Sequence, residues 1–204
     1  MIKTFGNILG MLLDTCCLVC GSPLPANQLI CGKCTDSSYN PCRTAGEYEI
    51  YHAGYYTHPL SQIITLYKYH SHPRISTVLS GLLSRLYTDM DMNLQDFTVT
   101  FIPSNRKSIF EKGFTPAELI AKKFSHTFGL EFRKIFSSQS KERQVTLDKD
   151  RRNSNVKLYI DGHIPKKTVI IDDVYTTGAT MHTACRLLAE QSLRIVGITV
   201  AKTP

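Results

Sequence analysis

Apolar residues recur along this chain at two spacings, and the changes from one to the other lay out its elements. Ile2, Phe5, Ile8, Leu9 and Leu12 share one side of a short amphipathic helix. Glu47 to Thr57, rich in Tyr, Ile and His, predicts one or two short strands, and Leu60, Ile63, Ile64 and Tyr67 then outline a helix. The same test predicts a helix over Ile75 to Leu86 and a strand over Phe97 to Ile102, which Pro103 stops. Further on, a helix over Pro116 to Phe128, a strand over Thr168 to Asp173, a helix over Gly178 to Gln191 and a strand over Arg194 to Ala201 are expected. Strand and helix alternate, which argues an α/β architecture around a parallel sheet. Two stretches break the pattern. Thr35 to Thr44 is polar and holds the turn-forming Asn40-Pro41, which puts a boundary near residue 44, and Phe136 to Asn155 is almost wholly polar and predicts a long loop.

A length of 204 residues bounds the architecture at one domain or one and a half. Twenty-four Lys and Arg against seventeen Asp and Glu leave a formal charge of +7, which favours polyanionic company: nucleic acid, phosphorylated metabolites or an anionic membrane face. No segment reaches the ~18 consecutive apolar residues of a membrane span. Leu13-Asp14-Thr15-Cys16 imitates a lipoprotein cleavage site only loosely, because Asp14 interrupts a short apolar run. The N-terminal helix is expected to dock on the protein's own core, with contact at a membrane surface as the alternative.

Seven cysteines make an odd count, and four of them form Cys17-Leu-Val-Cys20 and Cys31-Gly-Lys-Cys34. Two Cys-x-x-Cys pairs so close together read as metal binding before disulfides, and thus as a reducing, cytoplasmic setting. Four thiolates from two tight turns suit a tetrahedral structural Zn²⁺ and leave it no open position. A redox pair is the alternative, and Cys16 or Cys42 could replace one ligand. Cys185 reads as a small core residue.

The most informative run is Val169-Ile-Ile-Asp172-Asp173-Val174-Tyr175-Thr176-Thr177-Gly178-Ala179-Thr180. A buried strand leads into two carboxylates, then a Thr/Gly turn, then a helix. Backbone N–H groups of such a turn form a cradle for phosphate, and the threonine hydroxyls add donors. Paired carboxylates at the carboxyl end of a parallel strand stand where α/β sheets bind ligands, placed for sugar hydroxyls or a hydrated Mg²⁺. Together they describe a sugar phosphate. Neither a Walker loop nor a dinucleotide fingerprint is present.

This run resembles the 5-phosphoribosyl-1-pyrophosphate (PRPP) signature of type I phosphoribosyltransferases. The resemblance implies that Asp172 and Asp173 hold the ribose hydroxyls and organise Mg²⁺. Thr176, Thr177, Gly178, Ala179 and Thr180 would hold the 5-phosphate, with Val174 and Tyr175 in the same PRPP-binding run. It also implies a pyrophosphate loop after an earlier strand, and Pro103-Ser104-Asn105-Arg106-Lys107 stands in that place. Purine-type members carry an acidic residue just before the Thr-Gly pair, able to act as general base; here it is Thr176, as in orotate-type members. That argues against purine salvage.

The four-cysteine knuckle, Tyr67-Lys68-Tyr69, Pro103 through Lys112-Gly113-Phe114, Arg143-Gln144, Arg152-x-x-Asn155 and the terminal PRPP run occur in one order. That order is similar to the competence protein F family over nearly the whole chain, with one departure: Thr115-Pro116 stands where family members have Asn-Gln. The likeness implies a type I phosphoribosyltransferase-like sheet with helices on both faces (residues 45–204) behind an N-terminal helix and zinc knuckle (1–44). It places Lys68, Ser104 and Asn105 with the PRPP residues. It also implies a role in natural transformation, handling incoming single-stranded DNA with other competence proteins, such as a translocating helicase or a recombination mediator, in the cytoplasm or at the inner membrane face. From Arg133 to Lys167 there are ten Lys and Arg against four Asp and Glu. Arg143, Arg151 and Arg152, with Arg106, Lys107 and Lys112, are thus candidates for pyrophosphate or a DNA backbone. Tyr55, Tyr56, Tyr67 and Tyr69 fit base stacking or half-buried packing. Two mechanisms follow: a transferase that releases pyrophosphate to an acceptor, in nucleotide metabolism or salvage with no DNA role, or a module that binds PRPP and DNA without turnover.

Overall fold

The computed structural model describes residues 16–25, 27–69, 72–90, 93–104, 114–138 and 158–204. The helix expected over Ile2 to Leu12 and the polar stretch from residue 139 to 155 lie outside them.

Eight strands and five helices are described. They run α1 (Gly32–Ser38), β1 (Cys42–Thr44), β2 (Glu49–Tyr55), α2 (Leu60–Tyr69), α3 (Ser76–Asp89), β3 (Thr98–Phe101), α4 (Pro116–Phe128), β4 (Glu131–Phe132), β5 (Phe136–Ser137), β6 (Tyr159–Ile160), β7 (Lys167–Tyr175), α5 (Ala179–Ala189) and β8 (Arg194–Lys202). Six strands form one sheet in the order β1-β2-β8-β7-β3-β4. Only β1 is antiparallel to its neighbour; the pairs β2–β8, β7–β8, β3–β7 and β3–β4 are parallel. Central strands covered on both faces read as unbroken apolar runs. Val169, Ile170 and Ile171 of β7 and Ile198 and Val200 of β8 are accordingly buried.

Helices occupy both faces of the sheet. On one face Ile63, Leu79, Leu83, Ile120 and Phe124, from α2, α3 and α4, pack on Val169, Ile171 and Ile198. On the other, Met181, Ala184, Cys185 and Leu188 of α5 pack on Ile50 and Ile170, joined by Phe136 and Leu158. Cys185 is the core residue its spacing suggested. The cysteine segment belongs to the first cluster through Cys17, Leu29, Ile30, Cys31 and Cys34. It is drawn in tightly: a Cβ on Gly54 of β2 would collide with the Ser38 carbonyl at the end of α1.

Three features depart from the sequence reading. Glu47 to Thr57 yields one strand, whose edge partner is β1, just before the boundary expected at residue 44. The polar stretch opens on structure, since Phe136 and Ser137 pair antiparallel with Ile160 and Tyr159. Buried Phe136 supplies the apolar anchor that the surrounding polar residues masked. Finally, β7 continues two residues past Asp173, to Tyr175, so the acidic pair lies within the strand. Among the described residues no helix is long and apolar enough to cross a membrane.

Candidate functional site

Near the carboxyl end of β7, Asp172 and Asp173 point to opposite sides of the strand, as successive strand residues must. Asp173 is nearly buried, and its Oδ1 lies 2.7 Å from Lys68 Nζ at the end of α2. Asp172 is half-buried, and its Oδ1 accepts the Asp173 backbone N–H at 2.8 Å. Burial and the adjacent Asp173 charge push the Asp172 carboxyl up to about 8. Burial by itself would lower Lys68, but the charge of Asp173 and its hydrogen bond outweigh that and hold the ammonium above its ordinary value.

Beyond Tyr175 the chain turns through Thr176, Thr177 and Gly178 into α5. Gly178 has φ +78°, and a Cβ on it would collide with the Tyr175 hydroxyl, so the turn demands glycine twice over. No side chain caps α5 at Gly178, and Thr176, Thr177 and Ala179 are exposed, with Thr180 half-buried. An uncapped helix N-terminus fringed by threonine hydroxyls is the donor set a phosphate monoester needs. Two contacts hold the turn from behind. Tyr175 Oη lies 3.0 Å from His182 Nε2, and Thr203 donates its N–H to the Tyr175 carbonyl at 2.9 Å. Sequence reasoning passed over His182 and Thr203; a histidine one helical turn beyond the glycine was the available signal.

Deeper on this side, His52 of β2 is fully buried between Thr44 Oγ1 (2.9 Å from Nε2) and Thr199 Oγ1 (2.8 Å from Nδ1), against the Tyr175 ring. Thr199 Oγ1 gives its own proton to the Ala201 carbonyl at 3.1 Å. Nδ1 therefore carries the imidazole hydrogen and Nε2 accepts from Thr44.

The expected site residues separate into three groups. Asp172 to Thr180 and Lys68 come together at one end of the sheet, and Ser104, half-buried, follows β3 in the same sheet. Asn105, Arg106, Lys107, Lys112, Arg143, Arg151 and Arg152 lie outside the described residues. Of the basic residues at the ends of the polar stretch, Arg133 pairs with Glu131, Lys134 with Glu118 at 2.9 Å and Lys167 with Asp96 at 3.8 Å. Base stacking loses Tyr67: it is fully buried and donates its hydroxyl to the Pro116 carbonyl at 2.7 Å.

The cysteines form a second centre. The Sγ atoms of Cys17, Cys20, Cys31 and Cys34 all lie within 4.8 Å of one another. Cys17 and Cys34 sulfurs are 3.9 Å apart, and those of Cys20 and Cys31 3.6 Å. Tetrahedral bonds of about 2.3 Å to zinc place sulfurs about 3.8 Å apart, so the donor set fits that ion. Backbone N–H groups of Cys31 and Cys34 point at the sulfurs of Cys17 and Cys31, at 3.3 and 3.4 Å, as they do around metal-bound thiolates. Hydrogen bonds from Ser22 bring the exposed Cys20 thiol down to about 6.

Comparison with known proteins places this geometry. No curated protein matches the chain. Among solved structures, the one titled "Structure of the allosteric regulatory enzyme of purine biosynthesis" is similar at 16% identity and a TM-score of 0.43. The match covers 67% of this chain and 29% of that one, so the chain spans less than a third of that protein's length. The family model for the phosphoribosyl transferase domain matches residues 69–202, which take in the acidic pair and the phosphate turn but not the cysteine centre. The chain belongs to the phosphoribosyl transferase domain family.

Proposed function

We propose that this protein binds PRPP at the carboxyl end of β7 and that its role is that of the competence protein F family: handling single-stranded DNA during natural transformation. The observation that carries the binding site is one constellation. An uncapped, threonine-lined helix start meets two carboxylates in a single strand-turn-helix segment. Phosphate would sit in the turn from Thr176 to Thr180, and the ribose hydroxyls would donate to Asp172 and Asp173. Magnesium, when bound, neutralises the pyrophosphate and eases its departure. The cysteine centre would hold a structural zinc, since four thiolates leave no position for substrate.

Binding without turnover is the reading the site favours. Attack of a nitrogen nucleophile on the ribose C1 needs a group to take its proton, and the residue before the Thr-Gly pair is Thr176, an alcohol rather than a carboxylate. The DNA role rests on the +7 charge and on the ordered run of motifs. Other competence proteins and the inner membrane face are the expected partners.

Titration calorimetry of PRPP into zinc-loaded protein, with and without Mg²⁺ and with single-stranded DNA present or absent, tests both parts. Saturable binding, lost in Asp172→Ala with Asp173→Ala, is the expected result. Undiminished affinity in that folded variant overturns the site. DNA affinity should fall steeply between ~50 and ~200 mM salt, and salt-insensitive binding counts against phosphate contacts. Pyrophosphate release that depends on an added base would favour the transferase instead.

A further inference from the structure

The acidic pair comes with a cation of its own. Lys68 Nζ stands 2.7 Å from Asp173 Oδ1, and only 19% of the lysine side chain and 13% of the aspartate side chain are exposed. Exposed ion pairs flicker and contribute little, but this lysine is held. It lies one residue from the end of α2, whose apolar stripe of Leu60, Ile63, Ile64 and Tyr67 is buried. The same helix is tied to the cysteine segment by Gln62 Nε2 donating to the Leu18 carbonyl at 3.3 Å, and to the start of α4 by Tyr67 donating to Pro116. The ammonium is therefore a fixed charge.

A divalent ion bound directly by both carboxylates must share them with this ammonium, at the cost of like-charge repulsion in a shielded place. It would also take a carboxylate whose second oxygen already serves a backbone N–H, as Asp172 Oδ1 does for Asp173. A sugar hydroxyl meets no such obstacle. It donates to the remaining oxygen of either carboxylate and leaves the lysine in place.

We infer that Lys68 is the resident cation of the acidic pair, so that ribose 5-phosphate is held at this site without a divalent metal, and magnesium is required only by a ligand that carries pyrophosphate. This rests on the PRPP-site reading above and makes Lys68 the residue that sets which ligands need metal. It extends the ligand class to ribose 5-phosphates that carry no pyrophosphate.

The test is calorimetric titration of ribose 5-phosphate, and separately of PRPP, into zinc-loaded wild type, Lys68→Met and Lys68→Arg. Magnesium is removed with resin-treated buffer, since a soluble chelator would also strip the cysteine centre. Wild type should bind ribose 5-phosphate within about twofold in the two buffers. Lys68→Met should lose about tenfold or more without magnesium and regain part of it with magnesium, while Lys68→Arg stays near wild type. Electron paramagnetic resonance of Mn²⁺ gives a readout free of any sugar. Wild type should leave the ion unbound, and Lys68→Met should take up one equivalent that Asp173→Asn then abolishes. Circular dichroism establishes that each variant is folded. Ribose 5-phosphate binding to wild type that needs magnesium as PRPP binding does, or a Lys68→Met protein indistinguishable from wild type, overturns the inference and leaves the PRPP site standing. Failure of both ligands to bind folded wild type in any buffer overturns the site reading and the inference with it.

Discussion

His52 should make this protein lose stability in mild acid, and the structure sets the amount. Its ring is fully buried, with one nitrogen donating to Thr199 and the other accepting from Thr44, so the neutral form is satisfied on both sides. Burial, with the nearby Lys202 charge second, brings its titration down from 6.5 to about 4. A group depressed in the folded state leaves stability intact above the unfolded value and removes it as pH falls toward the folded one. Between pH 6.5 and 4 the unfolded chain takes up a proton that the folded chain refuses. The loss comes to about 2 kcal/mol at pH 5 and about 3 kcal/mol at pH 4. The chain has no tryptophan, so urea unfolding is best followed by circular dichroism, at pH 7 and pH 5, in wild type and His52→Gln. Glutamine keeps a donor and an acceptor and cannot titrate. Carboxylates and the metal centre respond to acid alike in both proteins and cancel in the comparison. Wild type should lose about 2 kcal/mol more than the variant between the two pH values. Equal losses would mean that His52 does not titrate as its burial requires, and the argument fails.

Gly178→Ala should weaken PRPP binding by well over about tenfold while costing about 1–2 kcal/mol in folding, since the new methyl must displace the Tyr175 hydroxyl and occupy a left-handed backbone. Calorimetry and urea unfolding check the two parts separately, and unchanged affinity would count against the phosphate turn. Cys31→Ala should lose stoichiometric zinc by mass spectrometry under native conditions and unfold at markedly lower temperature, because metal binding there is folding free energy; a variant with full zinc and full stability would contradict the four-thiolate centre. Tyr67→Phe removes the buried hydroxyl that ties α2 to α4 and should cost about 1–3 kcal/mol by leaving the Pro116 carbonyl unsatisfied, a loss that urea unfolding measures.

By itself the sequence determined the parts of this protein whose physics is local. Alternation of apolar runs marked out β7, α5, β8 and α4 to within a few residues, because a strand covered on both faces must be apolar throughout and a helix must bury a stripe. The two cysteine pairs announced their cluster, since thiolates two residues apart in a tight turn have few ways to face. The Asp-Asp and Thr-Gly run located the site because its strand, turn and helix are contiguous. What sequence missed is held across long separations. Cys42 to Thr44 became an edge strand only because β2 offered it an unpaired side, and Phe136 became one only by pairing with Ile160. Tyr67 was a candidate for base stacking until α4 closed over it. Lys68 reaches Asp173 across 105 positions, and His52 finds Thr199 across 147. Those partners share no local pattern, and only packing α2 and β2 against the central strands decides which charges and hydrogen-bonding groups meet.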